Sequence, residues 1–449
     1  MIETIPTHVV TLIEALRGYF CDRAFIARHR VRSADFTRQR QLTFPIVMLF
    51  TLQKTVKSVQ RHLHEFMDEL AGGELFEAVT PGAWTHARAK LKHTAFIALN
   101  RDVVLPAIYG AAPGAQPQLW RGHRLLGIDS SVLRLPGTAG MFEEFTAVEV
   151  TNQCGQTGVR YPEGRMSVVY DLLNRVGVDA RLEPSRLGEV ALAIEQLAHA
   201  APGDVLINDR GFTGYRYLAW HYKRELHFVA RCSSGSFAAA QELFRQDRAG
   251  RSVVVKLFAP RDERSELQAL GLPLELTVRF VSVRLRTGEL EVLATSLRDE
   301  RTYPTKDFSA LYHCRWGHET FYGVMKGRLD LENFSGQTPE AVRQDFHATL
   351  LLCNLESVLT APTDAALQEQ SLTHEQPKQV NRAVSFHALK HQLLPLLYSD
   401  ASIETVIEKL QLWFAGSPVS VRPDRKVPRV KFSWPRSYHF QRRVKKTVF

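Results

Sequence analysis

Five short apolar runs constrain what this chain can fold into: Leu125–Ile128, Met166–Tyr170, Val176–Leu182, Val205–Ile207 and His227–Ala230. Each is too short for a buried helix and rich in aliphatic or β-branched side chains, the pattern of strands inside a sheet. Between the later runs, Glu189–Ala200 and Tyr215–Arg224 carry helical periodicity. The order is therefore three strands, a helix, a strand, a helix and a strand. An RNase H-like mixed sheet accommodates that order, and so do other α/β folds. Three more strand-like stretches follow at Ser252–Phe258, Leu276–Leu285 and Glu289–Ala294, a β-rich insertion spanning about 236–305.

With 449 residues the chain exceeds what one core organises. Residues 1–118 read as a helical N-terminal domain, with apolar helices starting after Pro45 and covering Val59–Leu70. Another follows Thr80, a capping residue with Pro81 at the first helical position. This helix is expected to bury Trp84 and Leu91 and to expose Arg88, Lys90 and Lys92, either toward a DNA groove or as a solvated face. Ala111–Gln118 is a linker by composition. The sheet occupies 119–360, Ala361–Gln379 reads as a polar linker, and 361–449 as a C-terminal helical region with a basic tail. In that region helices resume around Ser385 and over Ser402–Phe414, with Gly416 as a stop.

The 57 Lys and Arg outnumber 47 acids, a net +10. From Val421 to Phe449 there are ten Lys or Arg and one acid, Asp424, so this stretch holds +9 and the rest of the chain only +1. Charge concentrated in this way suits an arm that seeks phosphate. Three prolines, Pro423, Pro428 and Pro435, disfavour a long helix there, and Phe432, Trp434, Tyr438 and Phe440 are interleaved with the cations. The five cysteines are scattered and form no zinc or disulfide framework. The longest apolar run, Phe44–Leu52, is too short to cross a bilayer, and the first residues lack a signal-peptide core, so a cytoplasmic protein with no membrane partner is expected.

Three acids carry the candidate chemistry. Asp129 follows Leu125–Ile128, and Asp209 follows Val205–Asn208, with Gly211 turning the chain toward a helix. Ligands of open α/β sheets bind at such strand ends, although a lone Asp there is more often a cap or a turn residue. The third acid, Glu319, lies in a helical pattern over Asp307–Arg328. At 100° per residue, Tyr312, Arg315, Glu319 and Lys326 fall within roughly 60° of arc, with Phe321, Val324 and Met325 opposite. By spacing alone the better-supported reading is a solvated stripe with Glu319 paired to Arg315.

The spacing Tyr312, Arg315, Glu319, Lys326 resembles the Tyr-Arg-Glu-Lys signature of the insertion element four family of bacterial DDE transposases. Two further segments resemble the family's other motifs: Asp-Ser-Ser at Asp129–Ser131 and Asp-Arg-Gly-Phe at Asp209–Phe212. The resemblance covers about residues 30–415; His318 departs from it, and the C-terminal tail has no counterpart. It implies an RNase H-like catalytic domain and a DNA transposase that cuts at transposon ends and joins them to target DNA. Asp129, Asp209 and Glu319 would bind two Mg²⁺ ions, for which Mn²⁺ can substitute, about 3.5–4 Å apart. Arg315, Lys326 and Arg210 would hold phosphates, Tyr312 would hydrogen-bond one near the cut, and Trp316 would stack on an unpaired base or pack in the core. The implied partners are terminal inverted repeats, target DNA and a second copy of the chain, in a bacterial cytoplasm and on the nucleoid when bound. Alternatives are an RNase H-like nuclease that only hydrolyses and a transposase-derived DNA-binding protein without catalysis.

Overall fold

All ten residues of the helix Phe44–Gln53 are buried, so this segment needs cover on every side. The computed structural model, which describes residues 5–38, 40–54, 58–72, 74, 77–110, 116–151, 157–285, 288–371 and 376–421, provides that cover from distant parts of the chain. The described residues divide into two compact units. The tail from Arg422 onward, expected to seek phosphate, lies outside the described residues.

The helical unit gathers Met1–Pro117, Leu133–Gly164 and Val324–Phe449. Its longest element is the helix Pro339–Gln370, started by the Thr338 hydroxyl accepting from Ala341 N–H. Inward residues Val9, Leu12, Ile13, Leu16 and Phe20 of the helix Thr7–Cys21 follow helical spacing. On that helix, Arg17 donates to the carbonyls of Pro395, Leu396 and Ala401 at 2.9–3.0 Å. Segments from before and after the sheet therefore build one unit: the chain passes from it to the sheet unit at Gln118, and position 360 lies within it. The linker expected over Ala361–Gln379 is helical as far as Gln370, Pro362 included. Leu367 is buried and the Val380 N–H donates to Asp364 Oδ1 at 2.7 Å, contacts that hold this helix beyond Pro362, which itself lacks one helical hydrogen bond.

The second unit, Gln118–Val132 and Arg165–Gly323, holds the sheet. The strands are β1 Leu125–Arg134, β2 Thr146–Thr151, β3 Thr157–Asp171, β4 Val176–Pro184, β5 Val205–Asn208, β6 His227–Arg231, β7 Ser252–Phe258, β8 Glu275–Arg284 and β9 Leu290–Thr295. Their order is β2-β3-β1-β5-β6-β9-β8-β7, with β4 also on β3. Taken as β4-β3-β1-β5-β6, with β1, β5 and β6 mutually parallel, this is the RNase H-like mixed sheet expected from the apolar runs. The helices Glu189–Gln196 and Tyr215–Lys223 fall where periodicity placed them. Strands β9, β8 and β7 of the insertion continue the same sheet antiparallel from β6. Strand β2 and the start of β3, which pair with each other in the helical unit, were not anticipated.

Candidate active site

Strands β1 and β5 run parallel with Gly127 opposite Ile207. Asp129 and Asp209 both lie two residues further on, so they stand at equal height and share the face of Gly127 and Ile207. Asp129 lies within β1, which continues to Arg134, whereas Asp209 follows the last residue of β5 and opens a 3₁₀ turn, Arg210–Phe212.

Gly127 lets the third acid's helix approach. A Cβ at this position would stand 3.2 Å from His318 Cδ2 and 3.3 Å from Leu172 Cδ2. The helix Trp316–Gly323 therefore presses directly on β1 and carries Glu319 with it. Two hydrogen bonds fix it there: Tyr322 Oη donates to the Asp129 carbonyl at 2.6 Å, and His318 Nε2 to the Val168 carbonyl at 3.0 Å. Burial lowers the His318 pKa to about 4, so the ring is neutral when it makes this bond.

The expected continuous helix over Asp307–Arg328 is segmented. After Phe308–His313, the amides of Cys314, Arg315, Gly317 and His318 bond three residues back, a tighter turn than an α-helix. Arg315 nevertheless reaches Glu319, Nη2 to Oε1 at 2.8 Å, and its guanidinium lies 5.2 Å from the Trp316 ring centroid. Tyr312 is buried, and its hydroxyl stands 3.4 Å from Asp209 Oδ1, a long hydrogen bond.

The field at Asp129 is unfavourable for a bare carboxylate. Burial pushes its pKa up to about 6, and Glu189 and Asp209 add to the rise; the Ser130 N–H, 2.8 Å from Oδ1, and Arg315 oppose it. Such a carboxylate is stabilised by an approaching cation. Among the described residues no three carboxylate, imidazole or thiol side chains already converge as a metal cage. The donor chemistry nevertheless fits a hard divalent cation, because Asp129, Asp209 and Glu319 offer carboxylate oxygens from three elements.

The Transposase DDE domain family matches residues 120–355, which span both strand acids and the Glu319 helix. The chain belongs to the Transposase DDE domain family. It is 25% identical over 348 residues to the transposase InsG for insertion sequence element IS4 of Escherichia coli strain K12, across 75% of this chain and 74% of that one. Among solved structures, a piggyBac transposase synaptic complex with hairpin DNA aligns with a TM-score of 0.41 at 11% identity, over 91% of this chain and 82% of that one. By its membership of the Transposase DDE domain family the protein is a DNA transposase, an enzyme.

Of the transposase's remaining expected DNA contacts, Arg210 is exposed, and so is Trp316 at 45%, which sets aside its packing as a core residue. Lys326 falls in a π-helical turn, Val324–Arg328, that belongs to the helical unit, so the 100° extrapolation from Glu319 does not extend to it. Lys90 lies just beyond the helix Pro81–Arg88 and is half-buried. Arg88 is a correction. It is 4% exposed, and its guanidinium donates to Gln344, Ser335, the Ala341 carbonyl and Asp345 at 2.6–2.7 Å. Its charge is neutralised inside the helical unit and is not presented to a phosphate. Trp84 and Leu91 are buried as expected.

Sequence reasoning missed Tyr322, Arg165, Arg231 and Glu291. Glu291 of β9 is 1% exposed and ion-paired with Arg231 of β6, and burial raises its pKa, with Arg231 opposing. Asp209 also acts on Glu291, which puts this pair on the active-site side of the sheet. A charged residue inside an otherwise apolar strand was the available signal in Glu289–Ala294 and around Met166.

Proposed function

We propose that Asp129, Asp209 and Glu319 are the catalytic acids with which this transposase cuts DNA at the element's ends and joins the freed 3′-OH to target DNA. The observation that carries the reading is the equal height of Asp129 and Asp209 on parallel neighbours, with the Glu319 helix packed on the same strand at Gly127. The three carboxylates would hold two Mg²⁺ ions, or Mn²⁺ in their place, which supply an activated water and stabilise the leaving oxygen. Arg315 keeps Glu319 oriented before DNA arrives, and its planar fork suits a backbone phosphate once the carboxylate is engaged elsewhere. Tyr312 donates toward Asp209 and stands ready to donate to a phosphate oxygen. The exposed Trp316 ring, held beside Arg315, offers a stacking face to an unpaired base. Arg210 and Lys90 add cations toward the backbone. The DNA partners are the element's terminal inverted repeats and the target duplex, with two copies of the chain acting on paired ends.

A plasmid carrying the DNA that flanks the gene on both sides tests this. Asp129→Asn, Asp209→Asn and Glu319→Gln are each expected to abolish Mg²⁺-dependent nicking while end binding, read by gel shift, stays within a few-fold of wild type. Nicking at more than a small fraction of the wild-type rate removes that residue from the site. Cleavage without joining supports a nuclease that only hydrolyses, and binding without cleavage by the wild type supports a non-catalytic protein.

A further inference from the structure

Asp129 is fixed by its own neighbour, since Ser130 N–H donates to Oδ1 at 2.8 Å. Ser130 is in turn gripped by a residue from another strand. Arg165 of β3 donates through Nη1 to Ser130 Oγ at 2.9 Å and to Glu189 Oε1 at 2.6 Å, and through Nη2 to the Ser185 carbonyl at 3.2 Å. We infer that Arg165 is a positioning residue for Asp129, acting through Ser130; this rests on the proposed role of Asp129 as a catalytic acid.

Three observations support it. The Arg165 side chain is 16% exposed while Glu189 is 45% exposed, and an ion pair open to water on one side contributes little to stability. The Arg165 Nε is buried with no acceptor, so stability alone does not account for the arrangement. Finally, the guanidinium spends its charge on Glu189 and its hydrogen bonds on Ser130 and Ser185, and it touches the Asp129 carboxylate only indirectly. A direct Arg–Asp129 pair would compete with a divalent cation for the carboxylate. A grip one residue away holds the Ser130 peptide plane, and with it the Asp129 oxygen, without that competition.

The test uses the full-length protein and the same flanking-DNA plasmid, with Ser130→Ala, Arg165→Met, Arg165→Lys, the double variant Ser130→Ala/Arg165→Met, and Asp129→Asn. The expected result is a tenfold or greater loss of nicking rate at saturating DNA for Ser130→Ala and for Arg165→Met, with KM for DNA and the melting temperature unchanged. The double variant should lose no more than the worse single, because both changes break one chain of contacts. Arg165→Lys should recover part of the rate, since an ammonium can still reach Ser130 and Glu189. Wild-type nicking by Arg165→Met overturns the inference, as do multiplicative losses in the double variant. A rise in KM alone also overturns it and makes Arg165 a direct DNA contact. Ser130→Ala removes a single oxygen, so it keeps the test open if Arg165→Met fails to fold. Unimpaired nicking by Asp129→Asn would instead remove the site reading, whereas a dead Asp129→Asn beside a normal Arg165→Met removes only the role of Arg165.

Discussion

The Tyr322 hydroxyl donates a 2.6 Å hydrogen bond to the backbone carbonyl of Asp129, tying the helix of one candidate acid to the strand of another. The side chain is 8% exposed, so the carbonyl has little access to water as a replacement donor.

Tyr322→Phe keeps the ring and removes the donor. It is expected to cost about 1 kcal/mol of stability, a fall of roughly 2–4 °C in Tm for a unit of this size. Nicking should fall more than that loss accounts for, because the spacing of Glu319 from Asp129 is what the bond sets. A thermal melt and a nicking assay on the same preparation check both; an unchanged nicking rate would separate this contact from the chemistry.

Arg88 gives the opposite expectation. Arg88→Met removes the cation paired with the buried Asp345, which keeps its hydrogen bonds from Ser335, a loss on the order of 3–5 kcal/mol. The salt dependence of DNA binding by the fraction that folds should be that of the wild type, since a cation committed to Asp345 releases no counterions at DNA. Calorimetric melting and binding at several salt concentrations measure the two effects. A flattened salt slope in a stably folded Arg88→Met protein would return Arg88 to the DNA surface.

Asp129, Asp209 and Arg88 show what is legible in the sequence. Asp129 and Asp209 could be read because their strands are buried on both faces, which leaves unbroken apolar runs that end visibly in an acid. Arg88 could not, because its partner Asp345 lies 257 positions away, and helical periodicity reports which side a residue is on without reporting what meets it there. Strand β2, Thr146–Thr151, and the start of β3 escaped because Glu149, Pro162, Glu163 and Gly164 dilute the strand pattern. The break in the Glu319 helix escaped for a different reason. The shortened turns at Cys314–His318 reflect packing on β1 and β3 as well as local preference, as the His318 bond to Val168 shows.

His221 makes stability depend on acid. The ring is fully buried against Tyr217 and Phe228; Nδ1 bonds the Tyr217 carbonyl at 2.9 Å, and Nε2 has no partner. Burial lowers its pKa from 6.5 to about 4. A depressed folded-state value means the unfolded chain takes up the proton first. The contribution is therefore complete above pH 6.5 and is lost as pH falls toward 4, on the order of 3 kcal/mol in all. His221→Leu should flatten the fall in Tm between pH 6.5 and 4. If the wild type and the variant lose Tm in parallel over that window, His221 is not the group responsible.

The basic tail can be tested without reference to its conformation. Residues 422–449 hold ten cations against Asp424. Each phosphate contact lowers log K by about 0.9 per decade of salt on duplex DNA. Deleting 422–449 should therefore weaken binding and reduce the salt slope by about one unit per lost contact, with circular dichroism and Tm of the remainder unchanged. An identical slope in the truncated, folded protein would show that the tail does not touch phosphate.

Because Arg17 donates to carbonyls of Pro395, Leu396 and Ala401, the order of translation matters. Ribosomes add about 5–20 residues per second, so the segment holding Phe44–Gln53 emerges roughly 20–70 s before residue 416. During that interval a largely apolar helix has been synthesised without the later helices that bury it. The nascent chain carries an adhesive segment throughout this interval, and the helical unit can close only once the helices that follow residue 381 have been made.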